Sequence, residues 1–311
     1  MRAAEIRVPG RPPVVADRTA PEAGPGEVAV SVTAAPITPL DRLCASGTSY
    51  FGLPATPYVP GVQGVGVLTR PAPTQPAGTP VWFATTAGMR PGDGSMAEQA
   101  VVGSSDVVVL PPGADHALVA ALGLSAVAAW MCLTGKGKLV PGETVLVLGA
   151  GGVVGQSAVQ LARVAGAGQV IASARSDAAL ARARRLGADR VVHAESLARS
   201  LGGTPVDLVI DPVWGAPAAA ALATLRPGGR LVNLGSAAGE ECPVSSALLR
   251  SRSLHIHGYT NNELDADRRR EALLTVVRHA IAGALTVEYH RVPLRDAAEA
   301  WHRPGRTVLV P

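Results

Sequence analysis

The segment Val145-Leu146-Val147-Leu148-Gly149-Ala150-Gly151-Gly152-Val153-Val154-Gly155-Gln156 passes from an apolar run through a glycine-rich turn into residues of helical spacing. It reads as a buried strand, a tight turn and a helix start. Small residues at such a turn let the backbone approach a pyrophosphate. The first N–H groups of the helix and its positive dipole end then face the phosphate charge. The spacing departs from strict GxGxxG, because Val154 stands at the third glycine's place and Gly155 comes one residue later. Strand, turn, helix and a following strand still occur in the order that a dinucleotide-binding turn requires. Gly149, Gly151, Gly152, Val153 and Val154 are therefore candidate cofactor contacts. The alternative is a tight turn with no ligand.

The next apolar run, Val170-Ile171-Ala172-Ser173, continues into Ala174-Arg175-Ser176. An NAD site usually carries Asp or Glu at this strand end, bonded to the ribose hydroxyls. Here no acid stands there, and Arg175 lies beside two hydroxyl residues. A guanidinium pairs well with a 2′-phosphate. Ser173 and Arg175 thus join the candidate site, and NADPH is favoured over NADH. The alternative is that Arg175 is one more surface arginine.

Beyond the turn, helical stretches (155–165, 177–186 and 216–225) alternate with short strand-like runs (190–193, 206–211, 230–234 and 254–259). Strands alternating with helices imply a doubly wound parallel α/β sheet of Rossmann type. The N-terminal third differs. Of the 26 prolines, 17 precede residue 113, so short strands and turns must prevail there. Residues 27–32 alternate polar and apolar, 62–68 and 107–110 are similar, and 289–292 with 307–310 return to strand character. These segments suggest an irregular β-barrel-like domain. The boundaries read as 1–118 with 259–311 for this domain and 119–258 for the nucleotide domain.

Composition narrows the function classes. Of the 311 residues, 47% are hydrophobic, which excludes disorder as the main state, and 3% are aromatic, too few for base stacking. The net charge of +4 is mild, and the run Arg268-Arg269-Arg270 after Asp265 and Asp267 reads as a solvated helix start. No nucleic-acid partner is expected. Three cysteines without CxxC spacing suggest neither a disulfide framework nor a zinc knuckle. The N-terminus has no apolar signal core, and the apolar run 118–133 is shorter than the ~20 residues of a membrane span. A cytoplasmic protein with no membrane partner is expected.

The glycine turn followed by Gln156-Ser157-Ala158-Val159-Gln160-Leu161-Ala162 resembles the medium-chain dehydrogenase/reductase superfamily, and within it the zinc-independent quinone oxidoreductase-like branch. Further matches are Pro25-Gly26-Glu27-Val28, Pro39-Leu40-Asp41, Ser46-Gly47, Pro60-Gly61-Val62-Gln63-Gly64-Val65-Gly66, Ala120-Ala121-Leu122-Gly123, Pro227-Gly228-Gly229-Arg230 and Leu234-Gly235. The resemblance implies a GroES-like first domain, a Rossmann second domain and a cleft between them. It also implies NADPH, a small-molecule substrate and a homodimer formed around residues 255–259. Leu234, Gly235, Ser236 and Tyr259 become further candidate cofactor contacts.

The zinc-ligand and neighbouring positions of related alcohol dehydrogenases align with Thr38, Val62 and Gln63, which form no tetrahedral donor set. His255 and His257 share one strand face but lack a third ligand nearby, so no metal is expected. Without a Lewis acid, hydride transfer suits acceptors that are already electrophilic, such as quinones and activated double bonds. The resemblance points to Thr38, Asp41 and Tyr50 as catalytic candidates. Tyr50-Phe51 reads either as a proton donor with its neighbour or as an apolar anchor for a loop.

The chain departs from the family pattern at Thr38 (usually Asn), Trp214 (usually Gly), Ala128 (often Thr) and Met96 (often Tyr). Trp214 would add bulk near the cofactor. The expected function is a zinc-independent, NADPH-dependent quinone or enoyl reductase. The alternatives are an NADPH-binding relative with a repurposed cleft (a non-redox cyclase, a sensor or a structural protein) and a reductase specialised for a biosynthetic intermediate.

Overall fold

The architecture is that of a computed structural model, which describes residues 1–72 and 75–311. The chain begins with β1 (Arg2–Glu5), β2 (Val14–Asp17), β3 (Glu27–Ile37), α1 (Pro39–Ser46), β4 (Gln63–Leu68), β5 (Pro80–Ala84), β6 (Gln99–Gly103) and β7 (Val107–Val109). Next come α2 (His116–Met131), β8 (Thr144–Val147), α3 (Val153–Val164), β9 (Gln169–Ala174), α4 (Asp177–Arg185), β10 (Arg190–His193), α5 (Leu197–Ser200) and β11 (Val206–Asp211). The remainder is α6 (Gly215–Leu222), β12 (Leu225–Asn233), α7 (Ser246–Arg252), β13 (His255–Gly258), α8 (Ala266–Ile281), β14 (Tyr289–Pro293), α9 (Ala297–Ala300) and β15 (Arg306–Val310).

Two compact units result, Met1–Gly123 with Glu288–Pro311, and Leu124–Val287. In the first, the strands run in the order β14-β15-β3-β4-β5-β7, with β6 also on β3, and β1 pairs with β2. All these pairings are antiparallel except β14 with β15. Its core gathers Ile6, Ile37, Phe83, Met96, Trp301 and Leu309. In the second unit six strands run parallel in the order β10-β9-β8-β11-β12-β13. The strand order reverses between β8 and β11, where ligands settle in doubly wound sheets, at the carboxyl ends of the strands. Val145, Leu146 and Val147 on β8 are fully buried, as are Leu208, Val209 and Ile210 on β11. Each such side chain contributes about 1.5–3 kcal/mol by leaving water.

Two expectations change. Residues 259–287 belong to the nucleotide unit rather than the first domain, and 119–123 to the first unit rather than the nucleotide domain. The cause lies in local ties: Asn261 donates to the Leu124 carbonyl at 2.9 Å, Lys136 pairs with Glu263 at 3.0 Å, and Gln160 bonds both ways with the Thr286 backbone. The apolar run is also longer than expected. His116–Lys136 is a 21-residue helical run, kinked at Gly123 (φ +30°, ψ −131°), that is long and apolar enough to cross a membrane, but 67% of the apolar window is buried within the protein. Its hydropathy serves the core.

One ion pair fastens the entry to β8. Glu143 receives two bonds from Arg230, at 2.6 and 2.7 Å, while Arg230 Nε donates to the Gly137 carbonyl at 2.7 Å. Desolvation is the largest single influence on Glu143 and opposes its charge, but the Arg230 bonds, the Val140 N–H and the charges of Arg230 and Arg226 together outweigh it and hold the carboxyl below its ordinary range. The stability this gives is complete above the unfolded pKa near 4.3 and is lost as pH falls through the depressed folded value. Arg230→Ala is expected to cost about 2–3 kcal/mol at pH 7. It should also flatten the acid limb of the stability profile, as read by urea unfolding at pH 3 to 7.

Candidate functional site

The carboxyl ends of β8, β9, β11 and β12 carry the turns of the candidate nucleotide site. At the first, Gly149 takes φ +60°, and a Cβ there would stand 2.8 Å from Val213 Cγ1. Gly155 lies so close to the strand that its Cβ would sit 2.4 Å from the Gly149 carbonyl. It thus performs the helix–strand packing that the strict motif assigns to its third glycine, one residue late. Gly152 is the N-cap of α3, and no side chain caps that helix. A Cβ on Gly152 would meet only the Gly149 carbonyl, at 3.6 Å, so its outer side is open. Gln156 Nε2 donates to the Gly151 carbonyl at 3.0 Å and braces the turn. Val153 and Val154 are half-buried in the first helical turn.

The second turn is tied to the first, since Ala150 N–H donates to the buried Ser173 carbonyl at 2.9 Å. Arg175 follows β9 and is exposed. Asp177, the nearest acid, opens α4 and lies 3.0 Å from His193 Nε2. His193 pairs in register with Ala174, next to Arg175. Sequence reasoning missed His193, whose only signal was its place at the end of a strand.

The third and fourth turns share a buried carboxylate that sequence reasoning also passed over. Asp211 Oδ1 accepts from Val213 and Trp214 N–H at 2.9 and 2.8 Å, and Oδ2 accepts from Asn233 Nδ2 at 3.0 Å. Desolvation raises its pKa against the pull of these bonds. Asn233 Nδ2 also donates to the Gly235 carbonyl at 2.8 Å. Leu234 N–H donates to the Asp211 carbonyl, and Ser236 Oγ donates to Glu240 at 2.5 Å. Tyr259 is buried, with its backbone N–H on the Asn233 carbonyl and its hydroxyl donating to Asn261 at 2.7 Å. Leu234, Gly235, Ser236 and Tyr259 therefore border one strand end. An uncapped helix start, an open cradle at Gly152 and an exposed cation beyond β9 fit a dinucleotide phosphate backbone.

The catalytic candidates lie in the first unit. Thr38 is the N-cap of α1 and forms a capping box with Asp41. Its hydroxyl donates to Asp41 Oδ2 at 2.6 Å, and Val62 N–H donates to Oδ1 at 2.8 Å. Asp41 is buried, and desolvation raises its pKa although these bonds favour the charge. Its geometry is that of a positioning residue, fastening α1 to the start of β4. Burial pushes the neighbouring Arg306 down to about 10, and its guanidinium donates to the Ile37 carbonyl. Tyr50 is 78% exposed with its ring 4.3 Å from Phe51, whereas Thr38 and Asp41 are buried. Val62 is buried, and Gln63 accepts from Trp82 Nε1 at 3.1 Å. Among the described residues no three His, Cys, Asp or Glu side chains gather into a metal-holding group.

A family model for zinc-binding dehydrogenases matches residues 153–274. The quinone oxidoreductase of Thermus thermophilus, also solved in complex with NADPH, is 29% identical with a TM-score of 0.84, over 100% of both chains. The chain belongs to the medium-chain dehydrogenase/reductase superfamily. An NAD-dependent alcohol dehydrogenase is 28% identical, over 100% of both chains, with a TM-score of 0.88. A mycocerosic acid synthase-like polyketide synthase of Mycobacterium tuberculosis is 30% identical over 307 residues, 91% of this chain and 14% of that protein. The chain thus spans about a seventh of that relative's length. Superfamily members pair a Rossmann with a GroES-like domain, bind a nicotinamide cofactor, act on small molecules and often form dimers.

The two glycines separate folding from binding. Gly155→Ala is expected to lose about 1–3 kcal/mol, because backbone must move. Gly152→Ala should unfold at the wild-type temperature yet bind a reduced nicotinamide cofactor at least about tenfold more weakly, or roughly 1.4 kcal/mol. Thermal unfolding and nicotinamide fluorescence titration on both variants check this.

Proposed function

We propose that the protein is a zinc-independent, NADPH-dependent reductase of quinones or activated double bonds, working as a cytoplasmic homodimer. The observation that carries the reading is the open, uncapped glycine turn, with Arg175 exposed past β9 and no carboxylate on that strand end. The nearest acid, Asp177, already has a partner in His193. Bound NADPH would supply a hydride to the electrophilic carbon of the acceptor. The amide groups at the start of α3 hold the pyrophosphate, and Arg175 holds the 2′-phosphate. Asp211 and Asn233 keep the segment 234–236 in place for the nicotinamide end. A proton then completes the reduced acceptor, from water or from the solvent-facing phenol of Tyr50.

A second reading has support of its own. The Thr38 hydroxyl is engaged by Asp41, and Trp214, which departs from the glycine usual in the family pattern, takes φ +57°. A protein so altered could bind NADPH without oxidising it. Mixing the protein and NADPH with a panel of quinones and enones separates the two, since only a reductase bleaches the reduced-nicotinamide absorbance.

Arg175→Ala is expected to weaken NADPH by about 10- to 150-fold, the loss of ~1.5–3 kcal/mol from a charge-assisted contact, and to leave NADH unchanged. Equal losses for both coenzymes, measured by fluorescence titration, would remove Arg175 from the 2′-phosphate site. Tyr50→Phe should lower kcat/KM by no more than about tenfold, because solvent can protonate the product. An identical kcat/KM would take Tyr50 out of the mechanism.

A further inference from the structure

β13 ends its sheet. β12 pairs with one side, and among the described strands nothing pairs with the other. His255, Ile256 and Gly258 are exposed and His257 is half-buried. Tyr259 N–H donates to the Asn233 carbonyl on β12. Along an extended strand, backbone groups alternate in direction. Residues 255, 257 and 259 therefore turn their N–H and C=O groups toward β12, whereas Ile256 and Gly258 turn theirs to the open edge; the Leu254 N–H is taken by the Leu249 carbonyl at 3.0 Å. His255 and His257 share one face, with parallel rings 6.0 Å apart.

These facts fix what a second copy would meet. Antiparallel pairing about a two-fold through Ile256 lets the outward groups of Ile256 bond with their equivalents, and the Gly258 N–H with the Leu254 carbonyl of the other copy. His255 then falls opposite His257 of the partner subunit, in the pairs that share no backbone bonds. Such pairs lie closest, with Cα atoms about 4.5 Å apart. Four imidazoles then occupy one face of a continuous sheet. One chain supplies only two, and among the described residues no group of three metal-binding side chains forms. We propose that the two-fold edge of β13 is a binding site for a borderline divalent cation such as Ni²⁺ or Zn²⁺, held by His255 and His257 of both subunits. The proposal rests on the homodimer of the reading above, not on its hydride chemistry.

Lys136, Lys138 and Arg230 lie near enough to His257 to act on its charge. Two of these cations have carboxylate partners, Lys136 with Glu263 and Arg230 with Glu143. The positive field that a bound dication meets is reduced accordingly.

The test uses the full chain stripped with EDTA, in sedimentation velocity over a dilution series with and without Ni²⁺, and in calorimetric titration with Ni²⁺. One Ni²⁺ per two chains is expected, with the dimer surviving at least tenfold further dilution when the metal is present. The double variant His255→Ala/His257→Ala should keep its metal-free dimer and its NADPH affinity but lose the metal effect. Ile256→Pro, whose lost N–H points to the open edge, should be a folded monomer without that metal stoichiometry. Undiminished Ni²⁺ binding in the double variant, or one Ni²⁺ per chain in Ile256→Pro, overturns the metal site. A dimer that persists in Ile256→Pro overturns the pairing, and a wild-type monomer under all conditions overturns the homodimer itself. None of these outcomes bears on NADPH oxidation, which is followed separately.

Discussion

At the start of α3 the helix backbone lies against the end of β8 with no room for a single added carbon. That approach brings the uncapped helix start to the rim of the sheet. Peptide dipoles there act on a phosphate at short range with no side chain in the way. Gly149 supplies the left-handed turn, Gly155 the close packing, and Gly152 the open surface. The other strand ends are organised around this turn: Ser173 is bonded to it, Val213 touches it, and Asp211 holds Val213.

Buried carboxylates perform the same task in both units. Asp41 joins α1 to the start of β4, and Asp211 joins the turn after β11 to Asn233 at the end of β12. In each case desolvation raises the pKa while backbone N–H groups pull it down. A carboxylate accepts several bonds at once from a compact position, which suits it to satisfying backbone donors where a strand gives way to a turn or helix. The arrangement also explains why Asp41 belongs with the support of a site rather than with its chemistry. Both of its oxygens are engaged inside the protein.

Much of the Rossmann unit was legible because its inner strands β8, β9 and β11 are buried on both faces and read as nearly unbroken apolar runs. Residues 190–193 and 206–211 match β10 and β11 residue for residue. The helix expected over 216–225 stops at Leu222, because Leu225 already pairs with Val206 in the sheet. The domain boundary at 259 failed for a different reason. Helix α8 looks like any amphipathic helix, and the bonds that assign it to a unit come from residues more than a hundred positions away, such as Leu124 and Gln160. His193 was hidden likewise, since register and not sequence distance brings it beside Ala174 and Arg175. The glycine turn was legible without the strict motif, because the physical need is a close approach somewhere in the first helical turn. Gly155 meets that need one residue late.

Trp214 shows how a departure read from sequence changes meaning in three dimensions. As a replacement for glycine it looked like added bulk near the cofactor. The structure places its side chain against the cluster of Leu146, Ile171, Leu222 and Leu231, alongside Val213, Cys242 and Leu248. Its backbone, at φ +57° and ψ −157°, occupies a region that costs a non-glycine residue about 1–3 kcal/mol. Burying much of an indole recovers energy of that order. Two bonds to Asp211 and the Ala238 N–H on the Val213 carbonyl leave the elbow no other path. A glycine could occupy the same conformation without strain, but it would hold the elbow by backbone bonds alone. With tryptophan, the elbow that touches Gly149 on one side and Gly235 on the other is also anchored through the core. The substitution therefore acts on the stiffness of the frame around the nucleotide turn more than on the lining of a pocket.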